Sequence, residues 1–108
     1  MAVKVQIIFH SLYSHVYRLA ESVADGAREV PGAEVKLLQV AETLSHEILE
    51  KMGAVESKKI FAHIPTADPQ SLADADAIIL GSPTRFGAAT AQMQAFLDAT
   101  GGLWAQGA

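Results

Sequence analysis

Apolar residues change their spacing several times along this chain, and each change marks an element. Val3-Lys4-Val5-Gln6-Ile7-Ile8-Phe9 is short and rich in β-branched residues, as a buried parallel strand is. From Val16 the apolar positions Val16, Leu19, Ala20, Val23, Ala24, Ala27 and Val30 recur at helical spacing, with Arg18, Glu21, Asp25 and Arg28 on the other side. That pattern predicts a helix lying on a sheet. Pro31-Gly32 ends it, and Ala33 to Val40 reads as a second strand, more polar than the first and so nearer a sheet edge. Strand, helix and strand make a βαβ unit whose right-handed crossover sets strand two beside strand one.

Residues 41 to 76 carry a weaker pattern and read as an excursion outside the core. Ser45 to Met52 predicts a capped helix closed by Gly53, with Ile48, Leu49 and Met52 as a narrow apolar stripe. Asp68 followed by Pro69 predicts the start of a second short helix reaching Ala75. Asp76-Ala77-Ile78-Ile79-Leu80-Gly81 is the most apolar strand, which suits a central position covered on both faces. A last helix from about Ala89 to Thr100 is expected to bury Met93, Phe96 and Leu97, with Gly101-Gly102 ending it before Leu103-Trp104. The alternation predicts an α/β domain with a parallel sheet.

Two loops need a chemical explanation. Ser11-Leu12-Tyr13-Ser14-His15-Val16 lies between the first strand and its helix. A helix starting there leaves its first N–H groups unpaired, with the positive end of the helix dipole above the turn, and this is an anion site. Ser11, Tyr13 and Ser14 bring hydroxyl donors without charge; a plain helix N-cap accounts for the same serines. The second loop, Ser82-Pro83-Thr84-Arg85-Phe86-Gly87, leaves the carboxyl end of the third strand. With strand one central, connections from strands one and three depart on opposite faces and open a crevice at that end of the sheet. Both loops are expected there, which favours a phosphate-binding role for the first. No G-x-G-x-x-G follows strand one and no G-x-x-x-x-G-K-[ST] occurs, so a dinucleotide-binding or P-loop fold of the usual kind is disfavoured.

Composition narrows the picture further. The 108 residues, half of them apolar, predict one domain over 1–108. A net charge of −4 argues against nucleic acid as a partner. No apolar run is long enough to span a bilayer and Met1-Ala2-Val3-Lys4 has no secretory pattern, so a cytoplasmic protein without membrane contact is expected. There is no cysteine, hence no disulfide and no thiolate. His10 reads as a sheet-end residue, His46 and His63 as exposed, and the spacing of the histidines suggests no metal site. No Ser/His/Asp or paired-carboxylate constellation is apparent.

S-L-Y-S-H-V, S-P-T-R-F-G and the later G-G-L-W together resemble the WrbA-type NAD(P)H:quinone oxidoreductases, flavodoxin-like FMN proteins, from Val3 to Ala108. The resemblance implies a three-layer doubly wound parallel sheet with FMN between strands one and three, the known placement in flavodoxin-like sheets. It implies that Ser11, Leu12, Tyr13, Ser14, His15 and Val16 surround the FMN phosphate, and that Tyr13 also meets the nicotinamide dinucleotide. Thr84, Arg85 and Phe86 match the loop at the isoalloxazine edge, with Gly87 allowing close approach, and Trp104 matches a tryptophan on the substrate side. NAD(P)H as donor, a quinone as acceptor and a homotetramer follow from the same resemblance, and no acid–base residue is required. Ser14 stands where the family commonly has glycine; a positive φ there would strain it. Family members continue for roughly the same distance again, so the chain is expected to be the N-terminal portion, its sheet truncated after strand three and that strand left as an exposed edge. A flavodoxin-like FMN electron carrier and a non-catalytic α/β interaction module are the alternatives.

Overall fold

In the computed structural model, which describes residues 2–107, β1 (Val3–Phe9) lies between β2 (Ala33–Gln39) and β3 (Ala77–Gly81), parallel to both. Met1, the first residue of the expected domain, and Ala108, the last of the family resemblance, lie outside the described residues. Alternation along β1 feeds two cores. Ile7 and Phe9 face α1 (His15–Arg28) and pack with Tyr17, Ala20, Ala24 and Phe61; Ile8 faces the opposite side, with Met93 and Phe96 of α4 (Ala91–Asp98). Helices therefore cover both faces of a parallel sheet, which is the expected flavodoxin-like α/β layout.

Between β2 and β3 the chain forms α2 (His46–Lys51), α3 (Val55–Lys59) and a 3-10 helix (Pro69–Asp74). Ser45 caps α2, its Oγ accepting the Ile48 N–H at 3.3 Å, and Asp68 caps the 3-10 helix by accepting from Gln70 N at 3.0 Å. The reading of this stretch as outside the core is corrected at Phe61, which is buried against Phe9 and Tyr17, and at Ala67, which joins the α4 core. β2 is an edge strand, as its polarity foretold.

β3 is the other edge. The expectation that it is covered on both faces does not hold in this chain, where Ile78, Ile79 and Leu80 are exposed; the expectation of an exposed apolar edge does. Leu19 and Val23 of α1 are open on the same side, lining a groove with Ile79 and Leu80. Gly101-Gly102 do not stop the helical path as predicted: they open α5 (Gly101–Ala105), in which Thr100 O accepts from the N–H groups of Leu103 and Trp104. Glycine lowers helix propensity by only about 1 kcal/mol, and the burial of Leu103 outweighs that here. Among the described residues no helix is long and apolar enough to cross a membrane.

Candidate functional site

The first loop turns on Ser14. Its φ of 70° and ψ of −4° put it in the left-handed region at the N-cap of α1, and its side chain makes no capping bond. Ser11 Oγ accepts the Tyr17 N–H at 3.4 Å instead, and Ser14 O accepts from Arg18 N at 3.0 Å. Among the described residues none of the N–H groups of Leu12 to Val16 meets an acceptor, so five amides at the positive end of a 14-residue helix remain for an anion. Serine at this φ costs about 1 kcal/mol against glycine. Ser14→Gly is expected to raise the unfolding free energy by about that amount without moving the loop. Urea unfolding of the two proteins, compared at equal m-value, measures it, and an unchanged or lowered midpoint would contradict the strain.

Of the hydroxyls foreseen as donors, only that of Tyr13 is committed elsewhere among the described residues; Ser11 Oγ accepts from Tyr17 N, and the Ser14 hydroxyl has no partner there. Ser11 is buried, and Tyr13 Oη donates to Met52 O at 2.9 Å, leaving the Tyr13 ring exposed above α2. Leu12 is buried with Leu49 and Ala54 and anchors the loop from below. The first loop's main contribution to an anion site is backbone amide, with the Ser14 hydroxyl beside it and the His15 side chain exposed at its rim.

The second loop is a hairpin that sequence reading did not foresee. β4 (Thr84–Arg85) pairs antiparallel with β5 (Ala88–Ala89) across Phe86-Gly87. Both turn residues have positive φ, 55° and 81°, the signs of a two-residue type I′ turn. A phenylalanine rarely takes that conformation, and here it stands fully exposed at the tip. Arg85 is also exposed, its guanidinium hydrogen-bonded among the described residues to Thr84 O alone, at 3.5 Å. The loops meet because β3 ends in Gly81: a Cβ there would stand 3.3 Å from Val16 Cγ1, so glycine lets the strand end approach the first turn of α1. Ser11, Leu12, Tyr13, His15 and Val16 share one cleft of about 70 Å³ with Pro83 and Arg85. Trp104 is not brought to it. It lies exposed in α5, not after the helices as expected, beside a separate cavity of about 320 Å³ next to Ile78.

Beneath the cleft lies a polar network absent from the sequence reading. His10 is only 2% exposed; its Nδ1 is 2.8 Å from Thr90 Oγ1 and its Nε2 is 3.0 Å from Glu42 Oε1. Glu42 also accepts from Lys58 Nζ at 3.0 Å and Gln92 Nε2 at 2.7 Å, and from the amides of Thr43 and Leu44. Burial pushes the Glu42 carboxyl up, but hydrogen bonds from His10, Lys58 and the Leu44 amide and the Lys58 charge outweigh it and hold it at about 2. Burial, helped by the Lys58 and Arg85 charges, lowers the His10 pKa against the raising effect of Glu42, so the imidazole is neutral at pH 7. An ionised Glu42 only accepts, so Nε2 carries the proton and Nδ1 accepts from the Thr90 hydroxyl. The order hydroxyl, imidazole, carboxylate matches a hydrolase triad, but Thr90 is 1% exposed and its oxygen caps α4 by accepting from Met93 N at 3.4 Å. The hydroxyl is closed to a substrate, and the bonds tie the end of β1, Glu42, α3 and the N-terminus of α4 to one another. Only a shared position at strand ends, His10 after β1 and Thr90 before α4, hinted at it in the sequence.

The family described as NADPH-dependent FMN reductase matches residues 3–106. A protein of Geobacter sulfurreducens named NAD(P)H dehydrogenase (quinone) is 62% identical over 103 residues, 95% of this chain and 51% of its own length. One of the same name from Methanosarcina acetivorans is 63% identical over 106 residues, 94% of this chain and 51% of its own. The chain spans about half the length of the curated relatives it matches.

Proposed function

The chain belongs to the NADPH-dependent FMN reductase family, and from that premise we propose that the complete protein is a WrbA-type, FMN-dependent oxidoreductase passing electrons from NAD(P)H to quinones. One observation carries the reading: unpaired amides on a helix N-terminus face the same small cleft as an arginine-bearing hairpin. Such amides favour a phosphate dianion without a neutralising side chain, which fits the monoester end of FMN. In this assignment Ser11, Leu12, Tyr13, Ser14, His15 and Val16 surround the phosphate, and the Tyr13 ring meets the dinucleotide. Thr84, Arg85, Phe86 and Gly87 hold the edge of the ring system.

FMN supplies the hydride-accepting and electron-donating chemistry when bound; the chain's residues bind, orient and exclude water. Arg85, with a single weak contact of its own, is free to meet negative charge. Phe86 offers a flat apolar face whose strained backbone gains nothing for the fold. Trp104, remote from the cleft within the chain, serves a neighbouring subunit's site in a cytoplasmic homotetramer.

Titration of the chain with FMN, followed by flavin fluorescence quenching, tests the reading. FMN is expected to bind at least about a hundredfold more tightly than riboflavin, the equivalent of two or three charge-assisted amide bonds. Equal affinities would remove the phosphate role from the first loop. Binding of FMN without quinone-dependent NAD(P)H oxidation by the full-length protein would favour an electron carrier.

A further inference from the structure

We propose that His10 is a positioning residue that holds the two loops of the cleft in register, one ring nitrogen bonded to Glu42 and through it to Lys58, the other bonded to Thr90 and through it to Ser82. The connection is continuous. Lys58 Nζ donates both to Glu42 Oε1 and to Ser11 O, each at 3.0 Å, so the first loop is tied to Glu42. Glu42 accepts from His10 Nε2 at 3.0 Å, and His10 Nδ1 reaches Thr90 Oγ1 at 2.8 Å. Thr90 in turn holds the base of the hairpin: its N–H donates to Ser82 Oγ at 3.1 Å and the two hydroxyl oxygens are 3.3 Å apart. Among the described residues His10 is the side chain bonded to both Glu42 and Thr90, beside a second tie from Gln92 of α4 to Glu42 at 2.7 Å, and it is almost wholly buried, as are Thr90 and Ser11.

Such a chain has a direction. With Glu42 ionised, each group from Thr90 to Glu42 donates toward the carboxylate, and hydrogen bonds in series polarise one another. The loops themselves are short and exposed at their tips, so their separation is set by what lies under them. A ligand that engages both loops gains from that fixed separation, because its second contact is made at high effective concentration; a ligand that engages one loop gains nothing. The consequence is specific. Removing the His10 link weakens a two-loop ligand while leaving each single-loop fragment as tightly held as before.

The test has a ligand-free arm and a ligand arm, of which only the second rests on the FMN reading. Without ligand, Lys58→Met is expected to shift the amide NMR signals of Ser82 and Thr90, which Lys58 does not touch, as well as those of Ser11. In wild type, the nitrogen shifts of His10 are expected to report the Nε2-protonated tautomer. With ligand, His10→Phe is expected to lower FMN affinity about tenfold while riboflavin alone and inorganic phosphate alone bind as to wild type. His10→Gln, which keeps a donor toward Glu42, is expected to recover part of the loss. Ser82 and Thr90 signals that stay in place in Lys58→Met would overturn the proposal, as would equal falls in all three affinities in His10→Phe. A wild-type chain that binds none of the three ligands would refute the FMN reading, and the Lys58→Met spectra alone would then decide the coupling. The same spectra decide it where His10→Phe does not fold.

Discussion

Glu42→Ala is expected to lower the unfolding free energy by about 3 kcal/mol, a large share of what a domain of this size possesses. Glu42 accepts five hydrogen bonds from four segments of the chain, and its side chain is 16% exposed. Truncation leaves the Lys58 ammonium, itself 16% exposed, and the His10 and Gln92 donors without their common acceptor. Breaking a largely buried pair on one side costs more than the pair contributes, because the remaining charge is left desolvated. Urea unfolding at pH 7 measures the loss; a change under about 1 kcal/mol would mean that water replaces the carboxylate at no cost.

The same group makes the fold acid-sensitive, and the sign is fixed. The carboxyl is lowered from 4.5 to about 2, so the unfolded chain binds the proton first and stability falls with pH between those values. The contribution, complete above 4.5, amounts to about 3 kcal/mol and is lost as pH nears 2. His10 acts in the same direction at higher pH. Its folded value lies below 6.5, so the neutral imidazole stabilises above 6.5 and that part is lost as pH falls through 6.5 toward the folded value. Stability is therefore expected to fall in two stages on acidification, and Glu42→Gln is expected to flatten the second. An unflattened curve would assign the acid loss to other carboxylates.

What the sequence made legible follows from how local each cause is. β1, α1 and β2 were readable because spacing alone dictates them: Ile7, Ile8 and Phe9 bury on alternate faces, and Ala20 and Ala24 recur one turn apart. The caps Ser45 and Asp68 are local in the same way. β3 was readable as a strand and as an exposed edge, but not in its cover, because an apolar run such as Ile78-Ile79-Leu80 reports a demand for cover, whereas strand order decides which part of a chain supplies it. The hairpin at Phe86-Gly87 escaped because a type I′ turn is announced by Asn-Gly or Asp-Gly, and phenylalanine gives no such signal. The positive φ that a serine in a glycine position would need is present at Ser14. The network was invisible for a different reason: His10 and Thr90 are separated by 80 residues, and neither is informative until the sheet sets their strand ends side by side. The cleft itself was legible, since two loops at the carboxyl ends of adjacent parallel strands must converge.

Phe61→Ala is expected to be the most damaging single truncation, at about 3 to 5 kcal/mol, and to weaken ligand binding as well. Phe61 lies in the stretch whose pattern promised no core, yet it is 1% exposed. Its ring stacks on Tyr17 at 5.2 Å between centroids and meets Phe9 edge-on at 5.7 Å, and Phe9 meets Tyr17 at 5.6 Å. Three mutually packed aromatics, joining β1, α1 and the crossover, leave no flexible neighbour to collapse into the space of a deleted ring. The effect on the cleft follows from Lys58, whose ammonium sits 5.1 Å over the same ring while donating to Ser11 O. Losing the ring removes one of the three holds on Lys58, leaving Glu42 and Ser11 O, and slackens the first loop. Phe61→Leu refills most of the volume without a π face, so it is expected to recover most of the stability and little of the anion affinity. Calorimetry paired with FMN titration separates the two effects: parallel recovery of both in Phe61→Leu would show that packing alone positions the loop, and that the cation over the ring contributes nothing.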